Sequence, residues 1–303
     1  MGAQLRAVRR RIKSVQSTAK ITRAQELIAA SRIIKAQQRV RDAAPYAQEI
    51  TRAVEAVVAR SGQIKHPLTT PMENPTRAAV VVLTSDRGFA GGFNSNVLRE
   101  AQSLQALLTQ QGVETVPYAA GRKGIGWYRF RDRALAGAWS GFSDTPASAN
   151  ATEITTALLE AFSKSAEEGG VDEVHIVYNE FVSMLTQQPV TRRLLPLEIE
   201  ETTEPSPSGP IPIYDFEPSP EAVLDALLPW YVESRLFYAL LDSAAAEIAS
   251  RRRAMKSATD NAHDLIEQLS REANKARQAE ITQEISEIVG GANALAESIS
   301  GRK

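Results

Sequence analysis

The sequence contains no cysteine. Disulfides, thiolate metal sites and thiol switches are therefore excluded. Histidine is scarce: only His66, His175 and His263 could supply imidazole, and none has a second histidine or a carboxylate pair at ligand spacing, so no metal site is expected. No apolar run approaches the ~18–20 residues of a membrane span. The N-terminus is basic and polar and lacks an apolar core region, which is not the pattern of a secretory signal. The chain is expected to be made and kept in the cytoplasm, with docking on a membrane complex through partners left open.

Helix-breaking residues are missing from two long stretches. From about Glu221 to Ile299 there is one proline, Pro229, and no glycine before Gly290-Gly291. Before Pro67 the only proline is Pro45. Both stretches carry heptad seams. Near the C-terminus Ile281, Ile285, Ile288, Ala292, Leu295 and Ile299 are spaced 4-3-4-3-4, and Ala258, Ala262, Leu265 and Leu269 keep the same spacing. At the other end Leu5, Val8, Ile12, Val15 and Ala19 follow it, as do Ala43, Ala47, Ile50, Val54 and Val57; between them Ile21, Leu27, Ile28, Ile33 and Ile34 suggest a shifted register. A helix from Trp230 to Ile299 would be about 105 Å long, and the first one roughly 85 Å with a possible kink at Pro45. Gly62 and His66-Pro67 end that first helix. Rods of this length cannot bury their stripes in one compact domain. With a folded domain between them, they are expected to pair antiparallel.

Net charge is only −1, but its distribution is uneven. Met1 to Arg60 holds 13 basic and 4 acidic residues, and the remainder holds 22 and 32. The basic face of the first helix (Arg9, Arg10, Arg11, Lys13, Lys20, Arg23, Arg32, Lys35, Arg39 and Arg41) points to an anionic partner. No aromatic is interleaved before Tyr46, which argues against nucleic acid and for a protein with acidic loops. The bland alternative is a solvated face.

Between the rods, strands and helices alternate. Ala78 to Leu83 reads as a buried strand, Ser95 to Gln111 as a helix, and Val113 to Ala119 as a second strand closed by Gly121-Arg122-Lys123-Gly124. A weak strand near Leu135 to Trp139, a helix over Ala147 to Ser165, a strand over Val171 to Tyr178 and an edge strand over Gln188 to Ile199 follow. Such alternation predicts a small parallel-sheet domain. The expected divisions are a first coiled-coil helix over 1–62, an α/β domain over 77–200, a Pro-rich semi-rigid linker over 201–220 and a second coiled-coil helix over 221–303. The turn at Gly88, Gly91 and Gly92 lies where phosphate loops lie, but it matches neither Gly-x-Gly-x-x-Gly nor a Walker loop, and Phe93-Asn94-Ser95 stands where the latter needs Gly-Lys-Ser/Thr. The plainer reading is glycine for a tight turn and close helix–strand packing. A nucleotide-binding α/β protein with a coiled-coil interaction arm is the rival function.

Three stretches carry a resemblance. The first is Arg11-Ile12-Lys13-Ser14-Val15-Gln16-Ser17-Thr18-Ala19-Lys20-Ile21-Thr22, followed by Ala29-Ala30-Ser31. The second is Thr84-Ser85-Asp86-Arg87-Gly88, with Gly91 and Asn94. The third is Met255-Lys256-Ser257-Ala258-Thr259-Asp260-Asn261-Ala262, then Ala276-Arg277-Gln278-Ala279 and Ile281-Thr282-Gln283-Glu284 through to Ala294. Together they resemble the gamma subunit of bacterial F-type ATP synthases over the whole chain. One position departs: many members carry Met where Gln25 stands. The chloroplast members' redox switch is unavailable to a chain without cysteine.

The resemblance implies a fold of antiparallel terminal helices around a small Rossmann-like parallel-sheet domain. It implies a central rotor stalk inside a ring of three alpha and three beta subunits, resting with the epsilon subunit on the membrane c-ring, peripheral on the cytoplasmic face of the cell membrane. Proton flow turns the ring and the stalk, and ATP is made on beta; this chain has no active site and no cofactor. By the same resemblance Arg277 and Gln278 match the pair that contacts the acidic catch loop of beta, and Lys20 and Arg23 lie in the basic zone near the same region. Ile285, Ile288, Leu295 and Ile299 would form a bearing tip.

Overall fold

A computed structural model describes the backbone of residues 2–61, 68–70, 72–197, 217 and 219–300. The expected Pro-rich linker lies almost wholly outside them. The elements in chain order are helix α1 (Gly2–Ser61), strand β1 (Arg77–Leu83), α2 (Phe93–Gln110), β2 (Glu114–Ala120), α3 (Arg122–Phe130), β3 (Gly137–Trp139), α4 (Ser148–Ser163), β4 (Glu173–Phe181), β5 (Gln187–Leu195) and α5 (Pro220–Ser300). Helix α1 continues through Pro45 and α5 through Pro229. The chain divides into two compact units, Met1–Ile28 with Ala254–Lys303, and Ala29–Arg253.

The larger unit is built on a five-stranded sheet of order β3-β2-β1-β4-β5. Strands β1 to β4 run parallel, and β5 returns antiparallel from β4 as an edge hairpin. Strand β1 lies at the centre and is buried on both faces, which is why it reads as an unbroken apolar run. Its side chains alternate: Ala79, Val81 and Leu83 enter a core with α4, the end of α1 and the start of α5, while Ala78, Val80 and Val82 enter one with α2 and α3. The sheet is thus covered on both sides. Helix α3 falls where the sequence suggested only a glycine cap; only Gly124 and Tyr128 are buried in it, too short an apolar face to register in a periodicity count.

Within this unit α1 and α5 are antiparallel. Ala29, Ile33 and Ala36 share a cluster with Ala249, Ile248 and Ala245, while Val54 and Val57 share the core with Leu224, Leu228 and Val232. The smaller unit holds only these two helices. There Thr22 and Thr259 hydroxyls lie 2.7 Å apart. An antiparallel register through that pair sets Ala19 opposite Ala262 and Glu26 opposite Met255, and all four are buried.

The seam on α1 does not shift register, contrary to expectation. Buried and half-buried positions recur at 3-4 spacing from Leu5 and Val8 through Ala19, Thr22, Glu26, Ala29, Ile33, Ala36, Ile50, Val54 and Val57. Ile21, Leu27, Ile28 and Ile34 face outward, at 63%, 55%, 47% and 66% exposure. Small and polar residues therefore hold the middle of the seam, and the larger apolar ones beside it mislead a periodicity count. On α5 the seam runs Met255, Thr259, Ala262 and Leu269; Ala258 and Leu265 flank it, half-buried.

Candidate functional site

Two regions are candidates: the strand-end crevice of the sheet and the smaller unit's helix pair. In a doubly wound sheet, ligands lie outside the carboxyl ends of the strands where the strand order reverses, here between β1 and β4. That crevice is filled by the chain itself. Ala90 and Phe93, from the turn after β1, pack against Ala246 of α5 with Phe181 at the end of β4. The Phe181 amide donates to the Asp242 carboxylate of α5 at 3.2 Å, and Asn179 Nδ2 donates to the Phe93 carbonyl at 3.0 Å.

The neighbouring anion position is also self-occupied. Asp86 accepts from the amides of Gly141 (2.7 Å), Ser143 (3.0 Å) and Arg122 (3.1 Å), the last being the first residue of α3. A helix N-terminus with converging amides is where a phosphate would sit; the Asp86 carboxylate takes its place. Asn94 clamps the same turn, accepting from the Ser85 amide at 2.9 Å and donating to the Ser85 hydroxyl at 2.8 Å. The motif Ser85-Asp86-Arg87-Gly88 with Asn94 is thus a loop lock, and it leaves no room for a nucleotide phosphate.

Glycine packing also falls elsewhere than expected. Gly88 has 3.7 Å to its nearest neighbour and Gly92 meets only the Asn96 side chain, whereas Gly91 takes φ +57°. Close helix–strand approach is made by Gly121 (φ +101°), whose added Cβ would lie 2.1 Å from the Thr84 carbonyl oxygen. Gly124 abuts the Thr84 side chain and donates its amide to Thr84 Oγ1 at 2.8 Å. Phe89, at the turn's apex, has φ +62° and is 80% exposed.

Charges lock α5 onto this loop. Glu247 is buried and receives Arg251 at 2.6 Å, and Arg251 also reaches the carbonyls of Arg87 and Gly88 at 3.4 Å. Burial pushes the Glu247 carboxyl up despite Arg251. Asp242 is raised to about 6, chiefly by burial and secondarily by Glu180, against the pull of the Phe181 amide. Sequence reading quoted Asp86 in a family motif without its role, and missed Asp242, Glu247 and Arg251. Two acids, Asp242 and Glu247, in a stretch otherwise rich in Ala and Leu over 239–249 were the available signal.

The helix pair carries the residues singled out from sequence, and it spreads them along two helices. Lys20 is exposed on α1. Arg23 is exposed and bonds Glu26 at 2.8 Å, so part of its charge is met within the chain. Gln25 points outward and does not enter the seam. On α5, Arg277 and Gln278 are exposed and adjacent. From Ile281 to Asn293 every residue is exposed, including Ile281 (44%), Ile285 (56%), Ile288 (71%) and Val289 (53%). The register through Thr22 and Thr259 sets Gly2, the first described residue of α1, about level with Ala279, and the exposed stretch of α5 lies beyond that level. Leu295 and Ile299 lie within α5, but their side chains fall outside the described residues. Among the described residues no cluster of acids and histidines could hold a metal, and no helix is long and apolar enough to cross a membrane.

The family model described as ATP synthase matches residues 4–295. The ATP synthase gamma chain of Frankia casuarinae is 62% identical over 98% of this chain and 99% of its own length. That of Acidothermus cellulolyticus is 60% identical over 97% and 98%. Among solved structures, the rotor of the Euglena gracilis mitochondrial ATP synthase superposes with a TM-score of 0.66 at 15% identity, covering 93% of this chain and all of that one. A second structure of the Euglena enzyme, of its OSCP/F1/c-ring assembly, gives 0.69 at 16% identity over 97% and 95%. These two likenesses bear on the fold alone. With its own motifs, its antiparallel terminal helices and these relatives in agreement, the chain belongs to the ATP synthase gamma-chain family.

Proposed function

We propose that the chain is the central rotor stalk of a proton-translocating F-type ATP synthase, coupling c-ring rotation to the catalytic beta subunits and having no active site of its own. One observation carries the reading. The apolar face of helix α5 over Ile281 to Val289 is bare among the described residues. An unpaired apolar stripe of this length marks a protein contact. An apolar tip can turn in an apolar collar, because no fixed hydrogen bond must break at each step.

In this reading three alpha and three beta subunits form the collar, with Ile285, Ile288, Leu295 and Ile299 as the bearing. Arg277 and Gln278, exposed just below, grip the acidic catch loop of one beta subunit at a time, a task suited to an always-charged guanidinium fork. Lys20 and the free donors of Arg23 add to the basic zone facing the same ring. The larger unit meets the epsilon subunit and the c-ring, which makes the protein peripheral on the cytoplasmic face of the cell membrane. The functional divisions are then the two terminal helices as shaft, residues 77–200 as the foot, and 201–220 as the tether between foot and shaft.

Co-expression with the alpha and beta subunits tests this. The expected product is a complex with one copy of this chain per three of each, with ATP hydrolysis absent from the isolated chain. Arg277→Ala is expected to leave that complex assembled and to lower proton-driven ATP synthesis several-fold. Failure to co-purify with alpha and beta would overturn the reading.

A further inference from the structure

We infer that the basic groove between α1 and the strand-end loops of the larger unit is a binding site for a small phosphate-bearing anion. The groove has a volume of about 310 Å³. Arg32, Lys35 and Arg39 line it from α1, and Arg87 lines it from the turn after β1. Spacings of three and four residues put the three α1 cations on one flank of the helix. Its floor is Ala36 and Ile248, both buried. Thr145 adds a hydroxyl at the rim.

The charges do not balance among the described residues. Asp144 is the one acid lining the groove, and it takes Arg32 at 2.9 Å and Arg87 at 3.7 Å. That pairing holds both guanidinium groups at the mouth. Lys35 and Arg39 have no ion-pair partner among the described residues. Four cations around one carboxylate repel one another across a half-open recess whose lining is mostly polar. A compact anion relieves that repulsion. Guanidinium forks and an ammonium are the donors that fit phosphate oxygens, and the volume lies at the small end of ligand pockets, suited to a pyrophosphate-sized group. This site is separate from the glycine turn, whose anion position the Asp86 carboxylate already fills.

Isothermal calorimetry on the full chain, with inorganic pyrophosphate as titrant and inorganic phosphate and citrate in parallel, tests the inference. Pyrophosphate is expected to bind with one-to-one stoichiometry, more tightly than phosphate or citrate, and more weakly as salt rises. Lys35→Gln and Arg39→Gln are each expected to weaken binding by roughly ten- to a hundredfold, the range for losing one hydrogen bond to a charged group. Asp144→Asn should do the opposite and tighten it, because it releases Arg32 and Arg87. Arg10→Gln, on an exposed part of α1 in the other unit, should change nothing. No saturable pyrophosphate binding overturns the proposal. So does equal binding of citrate, which would mean a diffuse ion atmosphere, or an equal loss in Arg10→Gln. Binding of an acidic peptide without binding of pyrophosphate would reassign the groove to a protein partner and likewise overturn it.

Discussion

Asp242 is a buried acid held at about 6 by its burial and by Glu180, well above an ordinary aspartate. The folded chain therefore binds its proton more tightly than the unfolded chain does. Its contribution to stability is fully present below about pH 4 and is lost as pH rises through 6. At neutral pH the charged carboxylate costs roughly 1–3 kcal/mol. Asp242→Asn keeps an acceptor for the Phe181 amide and cannot ionise. It is expected to raise the melting temperature at pH 7.5, with the gain shrinking to nothing near pH 4; thermal melts at both values check this. Asp86 works in the other sense. Removing it in Asp86→Ala strands three amides that converge on one carboxylate, at about 1 kcal/mol each. A loss of roughly 2–4 kcal/mol is expected in urea unfolding. Neither role was legible in the sequence. The Ser-Asp-Arg-Gly motif was conspicuous, but an aspartate that bonds amides from loops 36 to 57 residues away looks like any surface aspartate until the chain is folded.

Among the elements, the two long helices were legible because a seam at 3-4 spacing persists over many turns with few breakers. The middle of α1 was misread for a physical reason. Ile21, Leu27, Ile28 and Ile34 are strong apolar signals, yet they point away from α5, and the seam there is made of Thr22, Glu26, Ala29 and Ile33. A periodicity count assumes that the largest apolar residues face the partner helix within the chain. It fails where a helix also has surface to offer outward. The Thr22–Thr259 pair permits a test. Thr22→Val or Thr259→Val alone removes the cross-helix hydrogen bond but leaves the other hydroxyl the carbonyl of its own helix, Met255 or Ala19, so each should cost no more than about 1 kcal/mol. The double substitution removes both hydroxyls and should be close to neutral. A double-mutant cycle with a coupling near zero would exclude the pair as a unit. The central strand β1 was legible because burial on both faces leaves no polar residue from Ala78 to Leu83. Helix α3 was not, since Gly121, Gly124 and Gly126 argue locally against a helix that Thr84 and strand β1 hold in place.

For the molecule as a whole, the bare stretch of α5 separates stability from assembly. Ile285 and Ile288 are both mostly exposed, so Ile285→Ser with Ile288→Ser should leave the unfolding free energy within about 0.5 kcal/mol. The same pair should markedly weaken capture by the alpha–beta ring, read by co-purification. An equal loss of stability would mean that the face is covered within the chain. Two helices that touch only through hydrocarbon can creep past one another by a heptad, because one apolar layer is much like the next. When torque is applied across such a pair, creep would dissipate it as slippage. The Thr22 and Thr259 hydroxyls meet at 2.7 Å in one alignment only; slipped by a heptad, each would keep just the carbonyl of its own helix, so the cross-helix bond favours the register in which the two strands resist creep.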